Sequence, residues 1–135
     1  MVKILILEDE IPARKKLKRF LAELDAQAEI TAELDTVGKG IDFLRSHSVD
    51  LIISDIELLD GNAFEIYRHV AISCPIIFTT AYHQFWMHAF ESNGIDYLLK
   101  PFSRERFQKA WDKFQLLRNS PGDEKKLLDN VTRMI

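Results

Sequence analysis

Three kinds of polar residue stand where short apolar runs end. Glu8 and Asp9 follow Val2 to Leu7, Asp55 follows Asp50 to Ser54, Thr80 closes Pro75 to Thr80, and Lys100 follows Asp96 to Leu99. If these runs are neighbouring strands, the five side chains converge on one rim. Three carboxylates brought that close repel one another, and burial would drive some of them to hold a proton, so the set calls for a divalent cation. Oxygen donors favour Mg²⁺, which is held by one or two carboxylates together with phosphate oxygens and keeps several waters. Lys100 then offers a point charge for a further phosphate oxygen.

The elements needed to place these residues are legible in the hydropathy pattern. Five runs read as strands: Val2 to Leu7, the weaker Glu29 to Glu33, Asp50 to Ser54, Pro75 to Thr80 and Asp96 to Leu99. Between them lie helical patterns. Leu17, Phe20, Leu21 and Leu24 share one stripe, with Pro12 suited to the first turn. Phe107, Ala110, Trp111, Phe114 and Leu117 repeat on one face of a last helix that Ser103 can cap. Weaker helices are predicted near Val37 to Arg45, Asn62 to Val70 and Gln84 to Ser92. Strand and helix alternating five times predicts an α/β fold, a doubly wound five-stranded parallel sheet with helices on both faces. In such a sheet the ligand site belongs at the carboxyl ends of the strands, where strand order reverses.

Composition excludes several classes. The chain has 135 residues, 47% hydrophobic and 29% charged, the profile of one globular domain rather than a disordered or repetitive chain. A net charge of −3 argues against direct nucleic-acid binding or an anionic membrane surface. Cys74 is the only cysteine, so neither an intrachain disulfide nor a cysteine zinc cage can form, and a cytoplasmic location is expected. His47, His69, His83 and His88 lack ligand spacing. No apolar run is long enough to span a membrane, and the run before Glu8 lacks a signal-peptide cleavage site.

The acidic pair, the central aspartate, Thr80-Ala81 and Lys100-Pro101 together resemble the receiver domain of bacterial two-component response regulators. The segment Phe90-Glu-Ser-Asn-Gly-Ile-Asp-Tyr-Leu-Leu-Lys-Pro-Phe102 is similar to receivers of the LytR/AlgR class, which are normally joined to a LytTR DNA-binding domain. The resemblance covers Val2 to about Arg118. It implies a flavodoxin-like strand order 2-1-3-4-5, an order that general rules for this fold attach to a chemotaxis receiver. It further implies Asp55 as phosphoacceptor, Asp9 as direct Mg²⁺ ligand, Glu8 acting through a metal-bound water, and the Glu57 backbone carbonyl completing the metal shell. Thr80 would be the switch hydroxyl, Tyr97 the aromatic switch and Lys100 the phosphate-pairing lysine, with a cis Lys100-Pro101 bond. The implied partners are a sensor histidine kinase and the chain's own LytTR-type domain. A receiver is thus expected over residues 1–118, and over 119–135 a linker towards an output domain that this chain lacks. The implied protein is a phosphorylated switch rather than an enzyme, with only self-phosphorylation from small donors and self-dephosphorylation expected.

Two departures from the family pattern stand out. Most receivers carry a proline four residues past the acceptor and a glycine eight past it, whereas here Leu59 takes the first position and Gly61 lies six past. A loop two residues shorter is therefore expected. The second is Gln84-Phe-Trp-Met-His-Ala-Phe90, too bulky all round for a helix packed by one face, which makes Phe85 and Trp86 candidates for a homodimer or output-domain contact. The basic run Arg14-Lys15-Lys16 with Lys18-Arg19 reads as a solvated helix face or a kinase-docking surface.

Other readings remain. A pseudo-receiver would switch by protein binding alone. A magnesium phosphatase of the haloacid-dehalogenase type would carry Asp-x-Asp after the first strand, where this chain has Leu-Glu-Asp-Glu. A flavodoxin-like binding module would place a phosphate-cradling loop there rather than acids.

Overall fold

The computed structural model describes residues 1–82 and 92–119. The five apolar runs become β1 (Lys3–Leu7), β2 (Glu29–Leu34), β3 (Leu51–Asp55), β6 (Ile76–Thr80) and β7 (Gly94–Leu99). A small pair, β4 (Glu57–Leu58) and β5 (Gly61–Asn62), lies between β3 and β6. The described helices are α1 (Ile11–Leu24), α2 (Val37–Ser46), α3 (Phe64–His69) and α4 (Arg104–Asn119). The helix predicted over Gln84 to Ser92 falls almost wholly outside the described residues, as does the segment from 120 onward.

All five long strands pair in parallel in the order β2-β1-β3-β6-β7, the 2-1-3-4-5 order of the flavodoxin-like fold. The order reverses between β1 and β3, so a crevice opens at their carboxyl ends. Strand residues alternate between two cores, as the two-residue pleat requires. Ile4, Ile6, Leu51 and Ile53 pack with Phe20 and Leu21 of α1 and with Phe107, Trp111 and Phe114 of α4. Leu5, Leu7, Ile52, Ile76 and Phe78 face Val37 of α2 and Phe64 and Ile66 of α3. The stripes predicted for α1 and α4 are therefore the buried faces. Pro12 lies in the first turn of α1, and the Ser103 hydroxyl accepts from the Arg106 amide at 3.0 Å.

The main local differences from the predicted elements occur after β3. The chain forms the β4–β5 hairpin, with Glu57 opposite Asn62 and Leu58 opposite Gly61, which leaves Leu59 and Asp60 as the turn. Gly61 has φ of 148°, a conformation open to glycine at little cost. The Asn62 side chain accepts from the Phe64 amide at 2.9 Å, so it holds the turn before α3 rather than entering the helix, and α3 is shorter than predicted. Asp60 reaches across to α2, accepting from the Val37 and Gly38 amides at 2.6 and 3.1 Å. These bonds outweigh the slight desolvation of this exposed side chain and keep its carboxyl below the ordinary value.

Candidate functional site: an acidic crevice closed by a lysine

Strand register explains why the site residues meet. Leu7 pairs with Ser54, Asp55 with Thr79, and Thr80 with Leu99, so the strands end almost level. Glu8 and Lys100 directly follow the ends of β1 and β7, while Asp55 and Thr80 are the last residues of β3 and β6. Three main-chain bonds fix the rim: the Glu8 amide to the Leu34 carbonyl, the Ile56 amide to the Thr79 carbonyl, and the Lys100 amide to the Thr80 carbonyl. The Lys100-Pro101 peptide is cis.

Glu8, Asp9 and Asp55 each offer a carboxylate oxygen within 4.8 Å of the others. Glu8 and Asp55 are buried and Asp9 is half-buried. Lys100 closes the group, donating from Nζ to Glu8 Oε1 at 2.7 Å and to Asp55 Oδ2 at 2.8 Å. The other Glu8 oxygen accepts from the Glu10 amide at 3.1 Å, and Asp55 Oδ1 accepts from the Glu57 amide at 3.1 Å. Burial is the larger influence on Glu8 and, with the charge of Asp55, pushes its carboxyl up to about 7 despite Lys100. Burial works against the charge of Lys100 as well. The bonds to Asp55 and Glu8 outweigh it, and the ammonium is held above its ordinary value.

Thr80 and Glu57 meet beside this cluster, and Tyr97 is joined to them through Tyr82. The Thr80 hydroxyl donates to Glu57 Oε1 at 3.2 Å and accepts from the Tyr82 amide at 3.1 Å. The Tyr97 hydroxyl donates to the Tyr82 carbonyl. Burial, aided by the charge of Asp55, raises the Glu57 carboxyl above its ordinary value. Six of the seven predicted site residues thus lie at the strand ends or just beyond them, while Tyr97, paired with Phe78 inside β7, reaches the site's edge through the Tyr82 carbonyl.

A family model, the response regulator receiver domain, matches residues 4–112. The chain belongs to that receiver family. It is 37% identical over 123 residues to the sensory transduction protein LytT of Bacillus anthracis, an alignment covering 89% of this chain and 50% of LytT. It is 36% identical over 115 residues to the transcriptional regulatory protein LytR of Staphylococcus aureus (strain N315), covering 83% of this chain and 46% of LytR. The receiver thus spans about half the length of the curated relatives it matches. Among solved structures, the response regulatory domain of mrkE from Klebsiella pneumoniae superposes with a TM-score of 0.76 at 28% identity, covering 84% of this chain and 94% of that one. The family and its LytR-type relatives agree with the resemblance drawn from the sequence motifs.

Receiver domains generally bind Mg²⁺ in an acidic pocket, and the donor set here fits that ion. Three hard carboxylates carry more negative charge than one lysine offsets, and oxygen ligands of this kind suit Mg²⁺ rather than a softer metal. No described helix is long and apolar enough to cross a membrane.

Sequence reasoning missed two contacts. The family resemblance implies a role only for the Glu57 backbone carbonyl, yet the Glu57 side chain holds the Thr80 hydroxyl. Asp60, in the turn after β4, fastens the start of α2. The Asp60-Gly61 dipeptide is a turn signal, but nothing local marks Val37 as its partner.

Proposed function

We propose that this chain is the phosphoacceptor module of a LytT/LytR-type transcription regulator, and that Asp55 takes a phosphoryl group from a histidine kinase. The observation that carries this reading is the placement of Lys100 between the buried Asp55 and Glu8, with Asp9 within reach of both. An oxygen of Asp55 attacks phosphorus in line, and the bond from phosphorus to the donor nitrogen or oxygen breaks with its electron pair leaving on the donor. Lys100 keeps its proton throughout and turns one N–H from carboxylate towards phosphoryl oxygen. Asp9, Asp55 and the Glu57 carbonyl would hold Mg²⁺ directly, and Glu8 indirectly. Bound there, the ion would supply positive charge to the equatorial phosphoryl oxygens.

Thr80 and Tyr97 are the switch in this reading. The Thr80 hydroxyl leaves Glu57 for the new phosphoryl group, and this movement loosens the Tyr82 amide that it accepts from. The Tyr82 carbonyl holds the Tyr97 hydroxyl, so the aromatic ring is next in line. The partner at the far end is a LytTR-type DNA-binding domain beyond a linker over 119–135, with residues 1–118 forming the receiver itself. The setting is cytoplasmic, and the chain acts as a switch rather than an enzyme with external turnover. A second copy or the output domain would dock through the Phe85 and Trp86 segment, which lies outside the described residues.

The test is intact-protein mass after incubation with acetyl phosphate and Mg²⁺. One hydroxylamine-labile phosphoryl adduct is expected, lost in Asp55→Asn and without the metal. An adduct that persists in Asp55→Asn would overturn the assignment. Failure of several donors on a folded wild-type chain would leave a receiver that switches by binding alone.

A further inference from the structure

Lys16 belongs to the basic run of α1 that the sequence reads as a solvated face or a docking surface. Its ammonium instead turns inward. Lys16 Nζ donates to the Phe102 carbonyl at 2.7 Å, a contact between residues 86 positions apart. The same Nζ lies 4.6 Å from the centroid of the Phe102 ring and 5.6 Å from that of Phe20. Phe102 is buried, with its ring packed against Phe20 and Phe107, so the lysine meets an anchored side chain.

Phe102 stands two residues after Lys100 in the turn that joins β7 to α4. Upstream, that turn is held by the bond from the Lys100 amide to the Thr80 carbonyl. Downstream, Ser103 caps α4. Lys16 is the pin between them, and it comes from the helix that directly follows Glu8 and Asp9. A second tie between α1 and α4, from Arg104 to Glu23 at 2.6 Å, lies more exposed and about two turns further along α1. A void of about 150 Å³ separates α1 from the turn, bordered by Glu8, Lys16, Thr79, Lys100 and Phe102. The Thr79 hydroxyl is buried there with no hydrogen-bond partner among the described residues. With space on that side, packing alone does not fix the turn relative to Glu8, and a directional bond across the gap has work left to do.

We infer that Lys16 is a positioning residue for Lys100: by holding the Phe102 carbonyl to α1 it fixes the β7–α4 turn so that the Lys100 ammonium sits between Glu8 and Asp55. This rests on the receiver reading above. Placement matters because small errors in the position of a charged group are felt strongly in a transfer reaction.

The experiment compares wild type, Lys16→Met and Lys16→Arg by two readouts. One is the rate of adduct formation at saturating acetyl phosphate with Mg²⁺; the other is the NMR resonance of the Lys100 side chain, assigned through Lys100→Arg. Methionine keeps the apolar stem against Phe20 and Phe102 but removes the donor. Lys16→Met is expected to slow the saturating rate about tenfold and to move the Lys100 resonance towards that of a free lysine, while Lys16→Arg restores the rate to within about twofold of wild type and returns the resonance to its wild-type position. An unmoved Lys100 resonance in Lys16→Met would overturn the inference, whether or not the rate falls, because Lys16 would then act by another route. If wild type forms no adduct, the phosphoacceptor reading fails separately, and the resonance alone still decides whether Lys16 places Lys100.

Discussion

Two buried aspartates of this receiver are both paired with cations, yet one is closed and the other open. Asp96, on β7, has both oxygens filled. Oδ1 accepts from Arg106 Nη2 at 2.6 Å and from the Tyr97 amide at 2.8 Å, while Oδ2 accepts from Arg106 Nη1 at 2.9 Å and lies 3.3 Å from Lys113. Burial alone would raise its carboxyl, but these partners outweigh burial and hold it below the ordinary value. Asp55, in the crevice, shares a single lysine with Glu8 and faces Asp9 as well. Two cations serve one acid at Asp96, whereas at Asp55 one cation is shared by two acids with a third, Asp9, beside them. The first arrangement binds α4 to the sheet. The second leaves an excess of negative charge that suits a divalent ion and an incoming phosphoryl group.

Breaking each pair separately should show the contrast most strongly. Asp96→Asn is expected to cost about 2 kcal/mol, since it strands a guanidinium and an ammonium that are themselves partly solvated. Asp55→Asn should change stability by less than about 1 kcal/mol, because the lost ion pair is offset by relief from Glu8 and Asp9. Urea denaturation of the two variants without metal checks this. Equal losses would mean that Asp55 is as much a structural ion pair as Asp96.

The pH dependence of stability should carry opposite signs in the two regions. Glu8 has its folded value raised from 4.5 to about 7, so the unfolded chain releases this proton first and stability falls as pH rises through that window. The wild type should therefore lose on the order of 3 kcal/mol across it, a loss that Glu8→Gln removes. Asp96 has a lowered folded value, so its contribution is present above its ordinary value of 3.8 and is lost as pH falls through the folded one. Denaturation midpoints from about pH 3 to 8 with a chelator present separate the two. A wild-type profile that Glu8→Gln does not flatten near neutrality would remove Glu8 as its source.

The smallest effect should come from trimming the closed site at its edge. Lys113 is 41% exposed at 3.3 Å from Asp96, and solvent screens most of its attraction. Lys113→Met is expected to cost about 0.5 kcal/mol, with adduct formation at Asp55 unchanged. A loss matching that of Asp96→Asn would show that the lysine, rather than the paired guanidinium, holds this clamp.

Each of these features was legible in the sequence to a different degree. The five long strands were readable because continuous apolar runs of strand length mark a sheet buried on both faces. Glu8, Asp55, Thr80 and Lys100 could be grouped because each closes or follows such a run. The β4–β5 hairpin was not readable, since strands of two residues are too short to show a period. Asp96 and Arg106 gave no signal either. In the chain they look like one strand residue and one solvated helix residue, and only the packing of α4 on β7 turns them into a bidentate pair.

By itself, then, the sequence determined the parallel sheet, the two faces of each core helix and the set of acids, hydroxyl and lysine at the strand ends. Those follow from periodicity and chain order, which are local properties. The tertiary structure alone decided that Lys100 bridges Glu8 and Asp55, that Glu57 holds Thr80, that Asp60 caps α2, and that Lys16 turns inward to Phe102. These are contacts between residues far apart in the chain, set by strand register and helix packing to a few tenths of an ångström. No pattern of residue types carries distances of that kind.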